Sequence, residues 1–291
     1  MGTYVNYWCS KNSVLLLAIA AVVSLCVLVP GCAAPPVAHR LAICPGKRTI
    51  AEAIAALQRH RENIRPIRAG GKLHLEWYDG EGKAHQENLN INLRFYPPDR
   101  VYFRGDTLLG EAIRLGTNAE EFWVLMKPKE ISRYEWGRRS RAEACFRQQW
   151  LNPQNLLEAL GMVSFDTGWS LSSEGDFDIL TSAGAAGSRL KRIYVDCCDY
   201  MTKRIEYFGS DGQIVITLEL DGHTRLGNAA GVPTKISITH HDTNTAVDIV
   251  LKNVRLFEPS PKQLVGLFAR PEPKGFERVL KLNDSCEFVE Q

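Results

Sequence analysis

The pattern of apolar and polar residues changes early in the chain from helical to strand-like spacing. From Ile50 to Leu57 the apolar residues recur on one helical face, and Thr49 with Glu52 fits a capping box just before them. From Lys72 onward apolar and polar residues alternate, as in strands with one buried and one wet face. The pattern predicts a helix followed by a mainly antiparallel sheet.

Eleven apolar residues of the alternating region are expected on the inner face of this sheet. They are Leu73, Leu75, Trp77, Leu89, Ile91, Leu93, Phe95, Val101, Phe103, Phe122 and Val124. The Asp79-Gly80 turn separates the first two runs, which predicts a hairpin. The eleven side chains either fill a solid core or line a ligand cavity, and periodicity alone does not distinguish the two.

A second short helix is predicted in the middle of the chain. Asn152 and Pro153 suit the cap and the first turn, and Gly161 ends the segment. About ten strands with two helices predict an α+β fold for residues 48–270, namely an unclosed half-barrel whose open side the helices cover. Residues 271–291 are expected to form a C-terminal tail.

The N-terminus determines the expected compartment. After Lys11, an uncharged run from Val14 to Val29 leads to Gly31-Cys32, which is typical of a signal peptide over residues 1–31. The run is shorter than the roughly 20 residues that a helix needs to cross a bilayer, although an uncleaved signal anchor is the alternative. Residues 32–47 carry proline and no apolar period, as expected of a flexible tether.

Charge and composition narrow the classes of partner. Lys11 is the only charged residue among the first 31, so the 35 basic residues become 34, against 33 acidic ones. A nearly neutral chain has no basic excess for nucleic acid, which is not expected as a partner. The apolar share of 45% is sufficient for one substantial core.

The cysteines that follow Cys32 form an odd set. They are Cys44, Cys145, Cys197, Cys198 and Cys286. At most two disulfides can therefore form, and one thiol stays free or pairs with another molecule. A bridge between Cys44 and Cys286 would tie both ends of the domain down, although the sequence alone leaves the connectivity open.

No catalytic or metal-binding motif is recognisable. Cys197-Cys198 and His240-His241 suggest zinc, but neighbours on a strand point to opposite faces, so no metal site is expected. The sequence contains no GxSxG, HExxH or glycine-rich phosphate loop. We therefore expect a protein that is not an enzyme and that holds no cofactor.

Several motifs resemble known families of the bacterial envelope. Gly31-Cys32 resembles the lipobox of bacterial lipoproteins, which implies that Cys32 is lipidated and anchors the chain in a membrane. The stretches 100–110 (RVYFRGDTLLG) and 232–238 (VPTKISI), together with the order of helices and strands, resemble the LolA/LolB superfamily of lipoprotein carriers. The LolB-like lipoproteins are the most similar group.

This resemblance implies an unclosed barrel with a helical lid, enclosing a cavity for the acyl chains of lipoproteins or other lipids. In the outer-membrane receptors an exposed leucine before the glycine of a turn helps to insert cargo into the membrane. That leucine is Leu109 here, and Leu108 stands where those receptors have proline. Ala33 implies the outer membrane, facing the periplasm, by analogy. The alternative function is a non-catalytic envelope scaffold that has a solid core and docks a protein partner.

Overall fold

The computed structural model describes residues 44–145, 152–182 and 191–291. The predicted signal peptide 1–31, the lipidation site Cys32 and the tether up to residue 43 lie outside the described residues. Within the described ranges fifteen strands join in one sheet, together with four α-helices. No helix in these ranges is long and apolar enough to cross a membrane.

The strands and helices have the following bounds in chain order. The strands are β1 (Ile67–Tyr78), β2 (Ala84–Tyr96), β3 (Arg100–Thr107), β4 (Gly110–Thr117), β5 (Glu121–Met126), β6 (Arg133–Arg138), β7 (Trp169–Glu174), β8 (Phe177–Ser182), β9 (Lys191–Asp196), β10 (Thr202–Phe208), β11 (Ile214–Asp221), β12 (Lys235–His240), β13 (Thr245–Leu256), β14 (Val279–Leu282) and β15 (Phe288–Glu290). The helices are α1 (Ile50–Glu62), α2 (Arg139–Ala144), α3 (Pro153–Ala159) and α4 (Pro261–Leu267).

The sheet is open and almost entirely antiparallel. Its order is β15-β14-β6-β5-β4-β3-β2-β1-β13-β12-β11-β10-β9-β8-β7, and only β14 and β6 pair in parallel. The end strands β15 and β7 are not paired with each other in the described part, so the sheet does not close. The expectation of an unclosed, mainly antiparallel sheet is confirmed. The number of strands was wrong, since there are fifteen and not about ten.

The mid-chain helix shows how the sheet bends. Helix α3 contacts β4 and β5 on one side of the central strand β1 and β11 on the other. Strands on both sides of β1 can contact the same short helix only if the sheet curves around that helix. The predicted caps are present, because Thr49 Oγ1 accepts from Glu52 N–H at 3.2 Å and Asn152 Oδ1 accepts from Gln154 N–H at 2.9 Å.

Both predicted ends of the domain differ from the structure. Residues 271–291 are not only a tail, because β14 and β15 extend the sheet beside β6. The last residues of the predicted tether are bound to the domain: Lys47 N–H donates to Asp178 Oδ2 at 2.7 Å, and Cys44 forms a disulfide. These contacts join residues far apart in sequence, which local patterns do not reveal.

Candidate functional site

Leu108 and Leu109 occupy the tip of the β3–β4 hairpin, which we call the leucine turn. Their side chains are 101% and 100% exposed, so neither folds back onto the sheet. Leu109 N–H donates to Thr107 Oγ1 at 3.1 Å, and Thr107 Oγ1 donates to the Gly110 carbonyl at 3.2 Å. Gly110 adopts φ +124°, which is the glycine conformation that this tight turn requires. The turn therefore exposes two apolar side chains on a backbone that hydrogen bonds to Thr107 hold in place.

A group of charged residues surrounds the base of the leucine turn. Glu111 contacts Arg114, and its carboxylate lies 3.0 Å from Lys127 Nζ and 3.5 Å from Arg104 Nε. Arg104 also pairs with Asp106 at 2.7 Å. Burial alone would raise the pKa of Glu111, but Lys127 and Arg114 outweigh it and lower that pKa. An apolar tip above a charged base is the distribution that a membrane interface accepts.

The eleven residues expected on the inner face are all buried. Ten of them join one cluster with residues of α1 and α3. Phe122 differs, because it packs with Ala142, Cys145 and Leu282 in a separate cluster beside α2. The assignment of Phe122 to the common inner space was therefore wrong. Alternation correctly predicted its burial but not which neighbour would cover it.

Helix α3 occupies the space in which the sequence suggested a cavity. All seven of its residues are buried, and Leu156, Leu157 and the following Leu160 join the main cluster. Its polar residues are buried as well. Glu158 Oε2 lies 2.9 Å from Lys191 Nζ and also accepts from the Tyr207 hydroxyl. In this structure the half-barrel is filled by its own helix.

The acidity of Glu158 follows from these contacts. Burial alone would raise its pKa, but attraction to Lys191 and the hydrogen bonds from Lys191, Tyr207 and Gln154 lower it. Sequence analysis missed this network, because its members come from α3, β9 and β10 and carry no local motif. One signal in the sequence could have indicated a buried polar network. Three polar residues, Gln154, Asn155 and Glu158, share a short helix with two leucines.

An enclosed pocket lies between α1, the end of α3 and the sheet. It holds about 20 Å³, which is close to the space for one water molecule and far below the roughly 300 Å³ of a small ligand site. None of the eleven inner-face residues lines it. Its lining consists of Leu57, His60, Ala159, Leu160, Gly161, Val163, Phe165, Met201, Thr202, Leu220, His223, Gly231 and Pro233.

The cysteine pairing differs from the bridge considered between Cys44 and Cys286. The disulfides are Cys44–Cys198 and Cys145–Cys286, and Cys197 is a free thiol. Cys198 follows β9 and Cys286 lies between β14 and β15, so these two cysteines are near opposite edges of the sheet. Each cysteine near an end of the domain, Cys44 or Cys286, therefore pairs with one from the middle of the chain. The limit of two disulfides with one unpaired cysteine is confirmed.

The residue pairs that suggested zinc are separated by these contacts. Cys198 is oxidised in a disulfide and does not offer a thiolate. His240 is buried, whereas the neighbouring His241 lies at the surface and bonds to Thr217 Oγ1 through Nε2 at 2.9 Å. Within residues 44–145, 152–182 and 191–291, no three potential metal ligands lie together.

Comparisons with known proteins give structural similarity without sequence matches. No family model and no curated protein matches the chain. A domain named for outer membrane lipoprotein sorting, from Vibrio parahaemolyticus, is 10% identical with a TM-score of 0.49, covering 73% of this chain and 94% of that one. A DUF1329 family protein from Desulfovibrio piger is 11% identical with a TM-score of 0.49, covering 73% and 93%.

A LolA superfamily protein from Nitrosomonas europaea is 11% identical with a TM-score of 0.48, covering 75% of this chain and 97% of that one. The motifs at residues 100–110 and 232–238 resemble the same superfamily in sequence.

Proposed function

We propose that the protein is a lipid-anchored lipoprotein of the bacterial envelope that binds lipid or acylated cargo and contacts a membrane through the leucine turn. The observation that carries this proposal is the complete exposure of Leu108 and Leu109 in a domain whose inner-face leucines are all buried. Burying a leucine side chain gains about 1.5–3 kcal/mol. Two leucines therefore suit a reversible contact, which a carrier that releases its cargo requires.

Two further exposed apolar residues lie at the same end of the sheet as the leucine turn. Tyr78 ends β1, which runs parallel to β3 through the antiparallel β2, and Ile214 begins β11 at this end. Tyr78 is 52% exposed and Ile214 is 36% exposed. Tyrosine is favoured at the interface between membrane and water, which supports contact of this whole end with a lipid surface.

Vesicle binding tests the role of the leucine turn. A chain that starts after Cys32 lacks the expected anchor, so its flotation with lipid vesicles reports the turn and not the acyl chains. Leu109→Glu is expected to lower the bound fraction about tenfold or more, because a carboxylate is costly in hydrocarbon. Val265→Glu on α4, at a side chain that is 74% exposed, is the matched control and should leave binding unchanged. Equal binding by Leu109→Glu and the unaltered chain would refute the role of the turn.

Cargo binding requires the inner space to open. Because Leu156, Leu157 and Leu160 fill this space, an acyl chain replaces them only if α3 moves outward. A chain of about 14 carbons would gain roughly 11 kcal/mol on burial, at about 0.8 kcal/mol per CH₂, which exceeds the cost of association. Native mass spectrometry of protein purified from membranes is expected to show one bound lipid or acylated peptide per chain.

The buried α3 also favours a second candidate function. A half-barrel filled by its own helix suits a tethered interaction protein with a solid core, whose surface docks an envelope partner. This candidate predicts that no lipid accompanies the purified protein and that Leu157→Ala only lowers stability. The mass spectrum therefore separates the two functions.

A further inference from the structure

An open cleft lies at the end of the sheet opposite the leucine turn. It has a volume of about 530 Å³ and lies between α1, the β9–β10 turn and the β11–β12 connection. His60, Met201 and Gly231 line both this cleft and the enclosed pocket described above, so the two spaces adjoin. A volume of several hundred cubic ångströms is that of a small-molecule site.

Polarity changes from the cleft to the pocket behind it. The lining of the cleft includes two arginines, two asparagines and Asp199, together with small residues of the segment 227–231. The pocket behind it is lined by Leu57, Leu160, Val163, Phe165 and Leu220. A ligand that enters from the cleft would therefore need a polar head and an apolar chain, and the pocket, which holds about 20 Å³, would have to widen to take the chain.

The charges in the cleft favour a negative head. Arg59 and Arg225 are exposed, and neither forms an ion pair within the described residues. Asp199 is the acid of the lining, and it is already engaged: its carboxylate accepts from Met201 N–H at 2.8 Å and lies 3.3 Å from Lys203 Nζ. Neither guanidinium is in an ion pair, although Arg59 Nε donates to the Ala55 carbonyl at 3.3 Å. Guanidinium groups bind carboxylates and phosphates well.

His60 lines both the cleft and the pocket, and His223 lines the pocket. His60 Nε2 donates to the Gly231 carbonyl at 3.0 Å, and the buried Nδ1 of His223 has no hydrogen-bond partner in the described part of the chain. Burial lowers the pKa of both rings, and the positive charges of Arg225 near His60 and of Lys203 near His223 lower it further.

Few bonds hold the end of α1 over the pocket. Besides the bond from His60 to Gly231, Ala230 N–H donates to the Asn63 carbonyl at 3.1 Å and Arg61 donates to the Val163 carbonyl at 3.3 Å. All three join α1 or the residue after it to loops and not to strands. Separation of this end from the loops would lengthen the pocket toward the leucines of α3.

We propose that this cleft is the mouth through which a single-chain amphiphile with an anionic headgroup enters the interior, with Arg59 and Arg225 binding the headgroup. The proposal rests on the proposed cargo-binding function and names the chemical class of the cargo and its route. The headgroup carboxylate or phosphate stays in the cleft, while the first methylene groups pass Met201 and Leu57 into the pocket. The site is separate from the leucine turn, so the two can be tested independently.

Calorimetric titration of the purified protein with dodecanoate and with dodecyl phosphate tests the proposal and distinguishes the two headgroups. Arg225→Glu and Arg59→Glu are each expected to weaken binding about tenfold or more, since each reverses a charge beside the headgroup. Arg278→Glu on the segment before β14, at an arginine that is exposed near the far edge, is the matched control and should not change the affinity. Butyrate should bind at least about 100-fold more weakly than dodecanoate, because most of the buried methylene groups are missing.

A photoreactive diazirine derivative of dodecanoate locates the site independently of affinity. We expect it to label peptides that contain residues 56–63 and 223–231. Equal affinities for wild type and both arginine variants, equal binding of butyrate and dodecanoate, or labelling only elsewhere would each overturn the proposal. Leu109→Glu should bind dodecanoate normally, so failure of vesicle binding affects only the leucine turn and failure of the arginine variants to weaken binding affects only the cleft.

Discussion

Cys198 is joined by a disulfide to Cys44, which lies 154 residues earlier in the sequence. The bridge closes a very long loop, and in the chain-entropy description such a loop restricts the unfolded state by about 4–5 kcal/mol. Cys44→Ser is therefore expected to lower the free energy of unfolding by about 3–5 kcal/mol. Guanidinium unfolding followed by circular dichroism measures this loss. Reductant should produce a larger loss in the wild type, because it also opens the Cys145–Cys286 disulfide.

Cys197 provides the matched control for this substitution. Its thiol is not in a disulfide and donates to Asp178 Oδ1 at 3.6 Å. Burial and the nearby carboxylate of Asp178 raise the pKa of Cys197, which keeps it a thiol at neutral pH. Cys197→Ser should change the unfolding free energy by less than about 1 kcal/mol. An unchanged midpoint for Cys44→Ser would contradict the stabilising role of the bridge.

Gly71 and Gly70 are neighbours on the central strand β1, but only the substitution of Gly71 by alanine should destabilise the fold. A Cβ atom at Gly71 would overlap the backbone carbonyl oxygen of Val250 on β13, whereas a Cβ atom at Gly70 would lie 3.7 Å from the Ile91 carbonyl oxygen. Gly71→Ala is expected to cost about 2–3 kcal/mol, because the β1–β13 pairing must shift. Gly70→Ala should be neutral or slightly stabilising. Urea unfolding compares the two variants. Equal midpoints would show that β13 shifts to accept the methyl group without loss of stability.

Parts of the fold that depend on neighbours in sequence were predictable. The alternation around Asp79-Gly80 predicts β1 and β2, and the structure pairs Leu73 with Leu89 as cross-strand neighbours. The caps of α1 and α3 were predictable because their residues lie within three positions of each other. The exposure of Leu109 was implied by the family resemblance. The hairpin is short and its backbone is held by Thr107, so no neighbouring surface covers the side chain.

Features that depend on distant residues were not predictable. β14 has four residues, and it is a strand because β6 pairs with it and the Cys145–Cys286 bridge holds the segment near α2. The burial of α3 depends on Lys191 on β9 and Tyr207 on β10, which supply an ion pair and a hydrogen bond to the buried carboxylate of Glu158. The cleft beside Arg225 likewise combines three segments that are widely separated in sequence.

Glu158 and Lys191 form a buried ion pair whose two members should behave very differently when removed singly and together. Their side chains are only 5% and 13% exposed. Glu158→Gln leaves the Lys191 ammonium buried without its counter-charge, and we expect a loss of about 3 kcal/mol. The double variant Glu158→Leu with Lys191→Met removes both charges and should recover most of that loss. Urea unfolding of the single and double variants gives the coupling energy.

The exposed pair of Glu272 and Lys274 is the control for this cycle. Their side chains are 74% and 87% exposed although the charged atoms lie 2.7 Å apart. Water screens such a pair, so Glu272→Gln should leave the denaturant midpoint unchanged. If Glu158→Gln also left the denaturant midpoint unchanged, the contacts of Glu158 would not hold α3 in place. Other contacts would then have to limit the opening of the interior.

His60 and His223 should make the protein less stable as the pH falls below neutrality. Burial is the main cause that lowers the pKa of each ring from the ordinary value of 6.5, and the hydrogen bond to Gly231 only partly offsets it for His60. Below this ordinary value the unfolded chain binds protons that the folded chain still excludes. The free energy of unfolding therefore decreases as the pH falls from 6.5 through the lower pKa values of the folded state. The loss is complete below those folded values.

His74 offers a control of opposite sign. Hydrogen bonds to Glu76 and Asn88 raise its pKa, so its contribution to stability is complete below 6.5 and is lost as the pH rises through its higher folded pKa. Urea unfolding between about pH 5 and about pH 7.5 should show that His60→Gln and His223→Gln flatten the fall of stability toward acid. Each substitution should reduce the slope by up to about 1.4 kcal/mol per pH unit, the free energy of taking up one proton over that interval. His74→Gln should instead steepen the fall, because it removes a stabilising contribution on the acid side.

Only the part of the slope that His60→Gln or His223→Gln removes can be assigned to the region of the cleft and pocket. Glu158 and Glu111 have pKa values below the ordinary 4.5 and act only at lower pH. A slope of stability against pH that is the same in all three histidine variants and in the wild type would contradict this assignment. That result would mean that the end of α1 opens to water before His60 is protonated. The three bonds from α1 to the loops would then be too weak to keep the pocket behind the cleft closed.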